Sequence, residues 1–392
     1  MTLDQRIRQA REQRQAADLW RQPVTWRSLE GQRLNADGRE LIDFSANDYL
    51  GLSRHPEVIE AFTLTAQRQG IGSRASRLVS GSHPEHQAVE EALAEWLGYP
   101  AALFFASGYL ANLALVDGLL QRGDTVVCDR LNHASLIDAA RISRAHSRRY
   151  PHADVAAAAR QLAHAGDQGV RMLLTDGVFS MDGDVAPLAA LAATARQHHA
   201  VLAVDDAHGI GVWGDQGRGS VAALALTAEQ VPLLVGTAGK ALGAQGAFIC
   251  GPRDWIEHLH QRARSWIYTT APPPAIAAAV TAAIRVVREQ PQWQQRLQQR
   301  ISQWRQGLSQ LGLPLSQSHS AIQPLIVGAS GAAISLSKAL ARQGFWVVAM
   351  REPTVPAGSA RLRITLSAAH APEDVERLLE TLAQLWPRYA NE

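Results

Sequence analysis

The chain has 392 residues, 46% of them hydrophobic and 19% charged, a globular composition long enough for two or three domains and a closed active site. Its formal net charge of +2, spread over scattered basic residues, carries no nucleic-acid or membrane-surface signature. Cys128 and Cys250 are too far apart for a disulfide framework or a metal knuckle, no window approaches the roughly 20 apolar residues of a membrane span, and the charged N-terminus has no secretory stretch; the expected location is the cytoplasm.

In chain order, the spacing of apolar residues predicts an exposed amphipathic helix over 3–20. Extended, turn-rich sequence follows to Phe44, with a turn signal at Ala36-Asp37-Gly38. From Ser45, short apolar runs at 101–105, 125–128, 172–175, 200–205, 233–236 and 247–250 alternate with helical stretches such as 155–164 and 187–198. Fully apolar strands alternating with helices predict an α/β fold, a mostly parallel sheet covered on both faces. A long helix over 274–311, interrupted near Pro291, leads into strands at 322–327, 346–348 and 361–366 and helices at 332–343 and 372–385. The expected division is an N-terminal helix and extended segment (1–45), a large α/β domain (46–290) and a small C-terminal α+β domain (291–392).

Four features fall at strand ends or helix starts, where open α/β sheets place ligands. Ala106-Ser-Gly-Tyr-Leu-Ala-Asn112 follows the 101–105 strand and opens a helix, so backbone N–H groups near Ser107, Gly108 and Tyr109 could hold a phosphate. Taken alone it reads better as a plain strand-to-helix turn, since such turns are common. Ala203-Val-Asp-Asp-Ala-His-Gly209 ends an apolar strand in two acids that project to opposite faces. One of the two could meet a protonated pyridine nitrogen, and the segment reads equally well as a magnesium site. Val235-Gly-Thr-Ala-Gly-Lys240 presents a lysine with little steric cover, the residue type that forms Schiff bases. A surface lysine in a glycine-rich loop is the competing reading. Yet Lys240 and Lys338 are the two lysines of a chain that otherwise uses arginine, and arginine forms no imine. Leu131-Asn-His-Ala-Ser135 supplies a histidine able to stack on a planar ring, though a lone histidine is more often an ordinary surface or core residue. Together these are the parts a protein adds to pyridoxal phosphate.

The order of motifs resembles the α-oxoamine synthases among fold-type-I pyridoxal-phosphate enzymes. The marks are Asn47-Asp-Tyr-Leu-Gly-Leu52, Ser80-Gly81, His86-Gln87, the 106–112 segment, Asp176-Gly-Val-Phe-Ser-Met-Asp-Gly183, Asp205-Asp-Ala-His208, Thr237-Ala-Gly-Lys240 and Pro353-Thr-Val-Pro356, and they cover nearly the whole chain. The resemblance implies that Lys240 carries the cofactor and takes the α-proton, that Asp205 pairs with the pyridine nitrogen and His208 with the phenolic oxygen, and that His133 stacks on the ring. It further implies that Ser180 lines the cofactor, that Ser107, Gly108, Tyr109 and Thr237 border the phosphate, and that Thr269 and Thr270 reach the phosphate of a neighbouring subunit in a homodimer with shared sites. Arg21, Asn47, Arg351 and Thr354 would hold substrate groups, the arginines as carboxylate forks. No metal is expected. Asp176 departs from the family's usual Glu, and Ala238 from a bulkier residue. The details favour the member that condenses L-alanine with pimeloyl-CoA or pimeloyl-acyl carrier protein in biotin biosynthesis. Alternatives are the 5-aminolevulinate synthase, glycine C-acetyltransferase and serine palmitoyltransferase types and, remotely, a regulatory module that binds the cofactor without catalysis.

Overall fold

The computed structural model describes residues 1–36, 38–166 and 168–389, so the turn signal centred on Asp37 lies outside the described residues. The chain forms two compact units. One comprises 47–180 and 184–295; the other comprises 1–46, 181–183 and 296–392, so the N-terminal segment shares a unit with the C-terminal part.

The larger unit is built on a seven-stranded sheet in the order Ala101–Phe105, Ala247–Gly251, Leu233–Thr237, Val201–Asp205, Arg171–Asp176, Thr125–Asp129, His146–Tyr150. Among these strands Ala247–Gly251 alone runs against the rest, pairing antiparallel with both of its neighbours. The interior strands are apolar because both faces are covered. Leu103, Phe105, Val126, Cys128, Leu174, Ala203, Val235 and Ile249 share one buried cluster with the helices Gly108–Leu119, Ala134–Ile142 and Arg253–Arg262. Their alternates, including Phe104, Val127, Leu173, Leu202 and Leu234, are buried on the other side. Packing there is close: a Cβ on Gly236 would come within 2.2 Å of the Phe248 ring.

Six predicted strands of this sheet are present, and His146–Tyr150 is an addition. Its sequence, His-Ser-Arg-Arg-Tyr, has no apolar run because it pairs on one side only, with Thr125–Asp129, and four of its five residues are at least partly exposed. The expected long helix is two helices, Pro274–Glu289 and Gln292–Gln310. Pro291 has no N–H to continue the ladder and disfavours helical backbone at Gln290, so the break falls there.

The smaller unit holds two sheets. Arg27–Ser28, Arg33–Ala36 and Arg39–Asp43 form an antiparallel run that Phe345–Trp346 extends in parallel, and Ile322–Gly328, Ala360–Thr365 and Ala349–Met350 form a second, antiparallel sheet. Of the strand expected at 346–348, Trp346 alone lies in a strand; the chain leaves the first sheet there and joins the second at Ala349, and Val348 between them donates its N–H to Ser45 Oγ. The N-terminal helix spans Leu3–Ala16, shorter than expected, and ends before Asp18 turns left-handed at φ +56°. It buries no residue.

Candidate active site

The parallel strands Arg171–Asp176, Val201–Asp205 and Leu233–Thr237 end level with one another, with Asp176 opposite Asp205 and Asp205 opposite Val235. Ligands of open α/β sheets bind at these carboxyl ends. The chain then turns from Thr237 into a short loop that carries Lys240 and returns at Ala247. Thr237 Oγ1 donates to the Gly246 carbonyl and accepts the Gly239 N–H, while the Ala238 N–H also reaches Gly246 O. This bracing holds Lys240 half-buried, whereas Lys338 lies exposed on the helix Ser330–Arg342.

Two hydrogen-bond chains converge at these strand ends. In the first, Lys240 Nζ lies 2.8 Å from His208 Nε2, His208 Nδ1 lies 2.6 Å from the hydroxyl of the fully buried Tyr49, and that hydroxyl donates to Asn47 Oδ1 at 3.1 Å. In the second, Asn112 Nδ2 donates to Asp205 Oδ2 and to Ser135 Oγ, and Ser135 Oγ meets His133 Nδ1 at 2.7 Å. Asp205 and Asp206 part company as strand alternation requires. Asp206 is buried and held by the backbone N–H and hydroxyl of Ser220, and burial pushes its carboxyl up to about 7. Asp205, also buried, takes its hydrogen bonds from neutral donors, the Asn112 amide and the Ala207 N–H. A buried carboxylate so placed is well suited to meet a cation.

Asp176 accepts the His133 N–H at 2.8 Å, so this acid positions the histidine's backbone. Burial, and then the Asp205 charge, raise the Asp176 carboxyl well above its ordinary value. Burial holds the His133 imidazole below its ordinary value, with Asp205 pulling it partly back. The residue as a whole still keeps solvent-accessible surface. Ser107 caps the Gly108–Leu119 helix, its hydroxyl accepting the Leu110 N–H. The N–H groups of Gly108 and Tyr109 precede any intrahelical acceptor, and a Cβ on Gly108 would meet nothing within 4 Å, so the helix end is open. The Tyr109 hydroxyl is tied to Asp138 Oδ2 at 2.5 Å. Ser180 lies half-buried in the loop after Arg171–Asp176, and Thr269 and Thr270 follow the exposed Tyr268.

Within the smaller unit, Arg21, Arg351 and Thr354 come together. Arg21 Nη2 donates to the carbonyls of Arg351 and Glu352 and to Thr354 Oγ1, and Arg351 Nη2 donates to the Trp20 carbonyl. Burial and the neighbouring Arg21 charge lower the Arg351 pKa, and Arg351 Nε is buried without a protein partner. Paired guanidinium groups with spare donors suit an anion.

Sequence reasoning did not assign roles to Tyr49, Asn112 or Ser135. Each lies inside a quoted motif, but the partners of Tyr49 and Asn112 are 159 and 93 positions away, beyond the reach of local spacing.

Residues 39–382 match the model of the aminotransferase class I and II family. The chain belongs to this family. Within it, the chain is an α-oxoamine synthase. It is 51% identical over 95% of both chains to 8-amino-7-oxononanoate synthase of Alkalilimnicola ehrlichii. Among solved structures, serine palmitoyltransferase from S. paucimobilis with a bound PLP–myriocin aldimine superposes at a TM-score of 0.94, with 27% identity and full coverage of both chains. 8-Amino-7-oxononanoate synthase from Francisella tularensis gives 0.77 with 31% identity, covering 89% of this chain and 98% of that one. The fold is that of fold-type-I transferases, and the cofactor of such α-oxoamine synthases is pyridoxal phosphate. The residues fit it: a half-buried amine on Lys240, a buried carboxylate with neutral donors on Asp205, and an open helix end at Gly108.

Proposed function

We propose that this α-oxoamine synthase condenses L-alanine with a pimeloyl thioester, carried on CoA or acyl carrier protein. The products are 8-amino-7-oxononanoate, carbon dioxide and free thiol, in biotin biosynthesis. One observation carries the choice of reaction: identity of 51% to an 8-amino-7-oxononanoate synthase over nearly the whole chain. The 0.94 TM-score to serine palmitoyltransferase favours a serine-using reading, but at 27% identity it reflects the shared architecture more than the substrate.

Pyridoxal phosphate, when bound, supplies the electron sink for the charge left on alanine's α-carbon. Lys240 would hold the cofactor and, as a free amine, take the α-proton. The α-carbon bonds to the thioester carbonyl carbon as the thiol leaves, and after the carboxylate departs as carbon dioxide Lys240 would return a proton to that carbon. Asp205 keeps a cationic ring nitrogen charged, and Asn112 fixes the carboxylate's direction. His133 covers the ring, with Asp176 and Ser135 setting its place. His208, 2.8 Å from the Lys240 amine, would also hydrogen-bond the cofactor's phenolic oxygen. The N–H groups of Gly108 and Tyr109, with Ser107, Ser180 and Thr237 nearby, hold the phosphate end; Thr237 acts mainly through the loop it braces. Arg351 takes the amino acid carboxylate, Arg21 and Thr354 the distal carboxylate of the pimeloyl chain, and Asn47 a further substrate group.

The same reading makes the enzyme a cytoplasmic homodimer, with Thr269 and Thr270 completing the partner's phosphate site. Ile71, Val79 and Tyr268, exposed at 90%, 79% and 71%, give the larger unit apolar surface for such an interface, and the buried free thiols of Cys128 and Cys250 suit a reducing compartment. No helix among the described residues is long and apolar enough to cross a membrane.

The test is product identification by mass spectrometry, offering alanine, glycine and serine against pimeloyl, succinyl, acetyl and palmitoyl thioesters. Alanine with pimeloyl thioester should give the dominant product. Preference for glycine or serine overturns the proposal.

A further inference from the structure

His152 lies between two carboxylates of the larger unit. Its Nδ1 is 3.1 Å from Asp129 Oδ1, and its Nε2 is 2.8 Å from Asp184 Oδ2. Asp129 ends the strand Thr125–Asp129 and leads into the loop that carries His133. Asp184 closes the loop that carries Ser180, where its carbonyl accepts the Phe179 N–H. The Phe179 ring stands perpendicular to the imidazole with centroids 4.4 Å apart, so His152 touches both arms of that loop.

The proton count of the ring follows from its partners. Both oxygens of the buried Asp129 already accept backbone N–H groups, Oδ1 from Leu131 and Oδ2 from Ala153. A proton on that carboxyl would face a donor, so Nδ1 donates to it. Between Nε2 and Asp184 a single proton goes to the more basic partner, and an imidazole at about 6.5 is more basic than a carboxylate at about 3.9. The ring is therefore an imidazolium that donates on both sides. Its hydrogen bonds to Asp129 and to Asp184 raise His152 from 6.5 to about 10, against the opposing effect of burial.

We infer that His152 is a positioning residue, an imidazolium clamp that fixes the loop carrying His133 against the loop carrying Ser180. Asn132 donates to the Leu174 carbonyl and Asp176 accepts the His133 N–H, which holds the first loop to the strand Arg171–Asp176. His152 carries that hold onward to the second loop, at Phe179 and Asp184. A neutral side chain in its place would turn a lone pair towards one of the two carboxylates. The inference rests on the proposed reading in which His133 and Ser180 flank the cofactor, and His152 acts on the ring only through them.

The experiment uses the full-length holoenzyme. Nitrogen-15 NMR of histidine-labelled protein near pH 8, where an ordinary imidazole is neutral, should show both ring nitrogens of His152 protonated. The signals are assigned by their loss in His152→Gln, or in His152→Asn if the first variant does not fold. With far-UV circular dichroism and cofactor content as in the wild type, His152→Gln should alter the visible circular dichroism band of the bound cofactor, which reports how the ring is held. It should also lower kcat roughly tenfold while KM for the amino acid moves less than about threefold, measured on the substrate pair that product identification selects. Asp184→Leu keeps the volume and removes the acceptor, and should change the visible band in the same direction. A bare ring nitrogen on His152 near pH 8 overturns the inference, and so does a visible band that neither variant changes. An unchanged kcat in His152→Gln overturns it as well. The NMR signals and the visible band need no substrate, so an unexpected amino acid or acyl preference leaves them standing, and their failure leaves the proposed reaction standing.

Discussion

The Asn112 amide and the Asp205 carboxylate meet at 2.6 Å although 93 positions separate them, and the same amide nitrogen also reaches Ser135. Asn112→Leu keeps the volume but removes a donor from a buried carboxylate. Unfolding in urea should show a loss of about 1.5–3 kcal/mol, the range for a hydrogen bond to a charged group. Asp205→Asn keeps the shape but not the charge, so hydrogen–deuterium exchange at alanine's α-carbon should collapse while cofactor stays bound. Asp206→Asn, facing Ser220 on the other side, should leave that exchange nearly intact. Equal loss at 205 and 206 would show that the wrong strand face has been assigned to the cofactor.

Lys240→Ala should abolish turnover, and Lys240→Arg should do the same because a guanidinium stays protonated. Borohydride reduction followed by peptide mapping should place the phosphopyridoxyl label on Lys240. A label on Lys338 would remove the basis of the site.

Two buried histidines give the fold an acid limit. His86 Nδ1 accepts the His83 N–H and its Nε2–H meets the Pro272 carbonyl; His370 Nδ1 accepts the Ser367 N–H and its Nε2–H meets the Asp43 carbonyl. A second proton would face a donor in each case, and burial lowers both from 6.5 to about 4. The unfolded chain therefore binds protons that the folded chain refuses, so stability is full above 6.5 and falls as pH drops towards 4, by on the order of 3 kcal/mol for each histidine. Asp206 opposes them. Its carboxyl rises from 3.8 to about 7, so the folded chain holds a proton that the unfolded one lacks, and stability falls as pH rises through that window. Chemical denaturation across pH 4 to 7.5 should give Asp206→Asn a steeper acid limb than the wild type, and His370→Gln a shallower one. The opposite order would reverse the assigned signs.

Arg21→Ala should raise KM for pimeloyl thioester while binding of alanine changes little. Its bonds to the 351–354 segment use Nη2, one nitrogen of a guanidinium that carries five N–H donors. Loss of one charge-assisted contact costs about 1.5–3 kcal/mol, roughly tenfold or somewhat more in specificity. A thioester of equal length without the distal carboxylate should be indifferent. Equal damage to both acyl substrates would make Arg21 a brace for the loop.

What could be read before folding depended on how local the signal was. The strands at 101–105 and 233–236 declare themselves because both faces are buried, and the alternation of Asp205 and Asp206 follows from the strand alone. His146–Tyr150 was illegible because an edge strand bears no apolar run. Asp176 could be quoted as part of a motif, but its bond to the His133 backbone depends on which strands become neighbours. Tyr49 and Asn112 were hidden for the same reason: their partners are chosen by topology, and one sequence shows spacing only along the chain.

The Lys240 loop joins two strands that pair directly with each other, Leu233–Thr237 and Ala247–Gly251, whereas Val201–Asp205 and Arg171–Asp176 are joined to their parallel neighbours by long crossovers. Hairpin closure takes about 1–10 μs, while crossover pairings must first meet the entropy of closing large loops. The local pairing that carries Lys240 is therefore expected to form before the crossover pairings that place Asp205. On the proposed reading of the site, the amine's own hairpin is local in sequence, and the carboxylate and histidines reach it only through crossover connections.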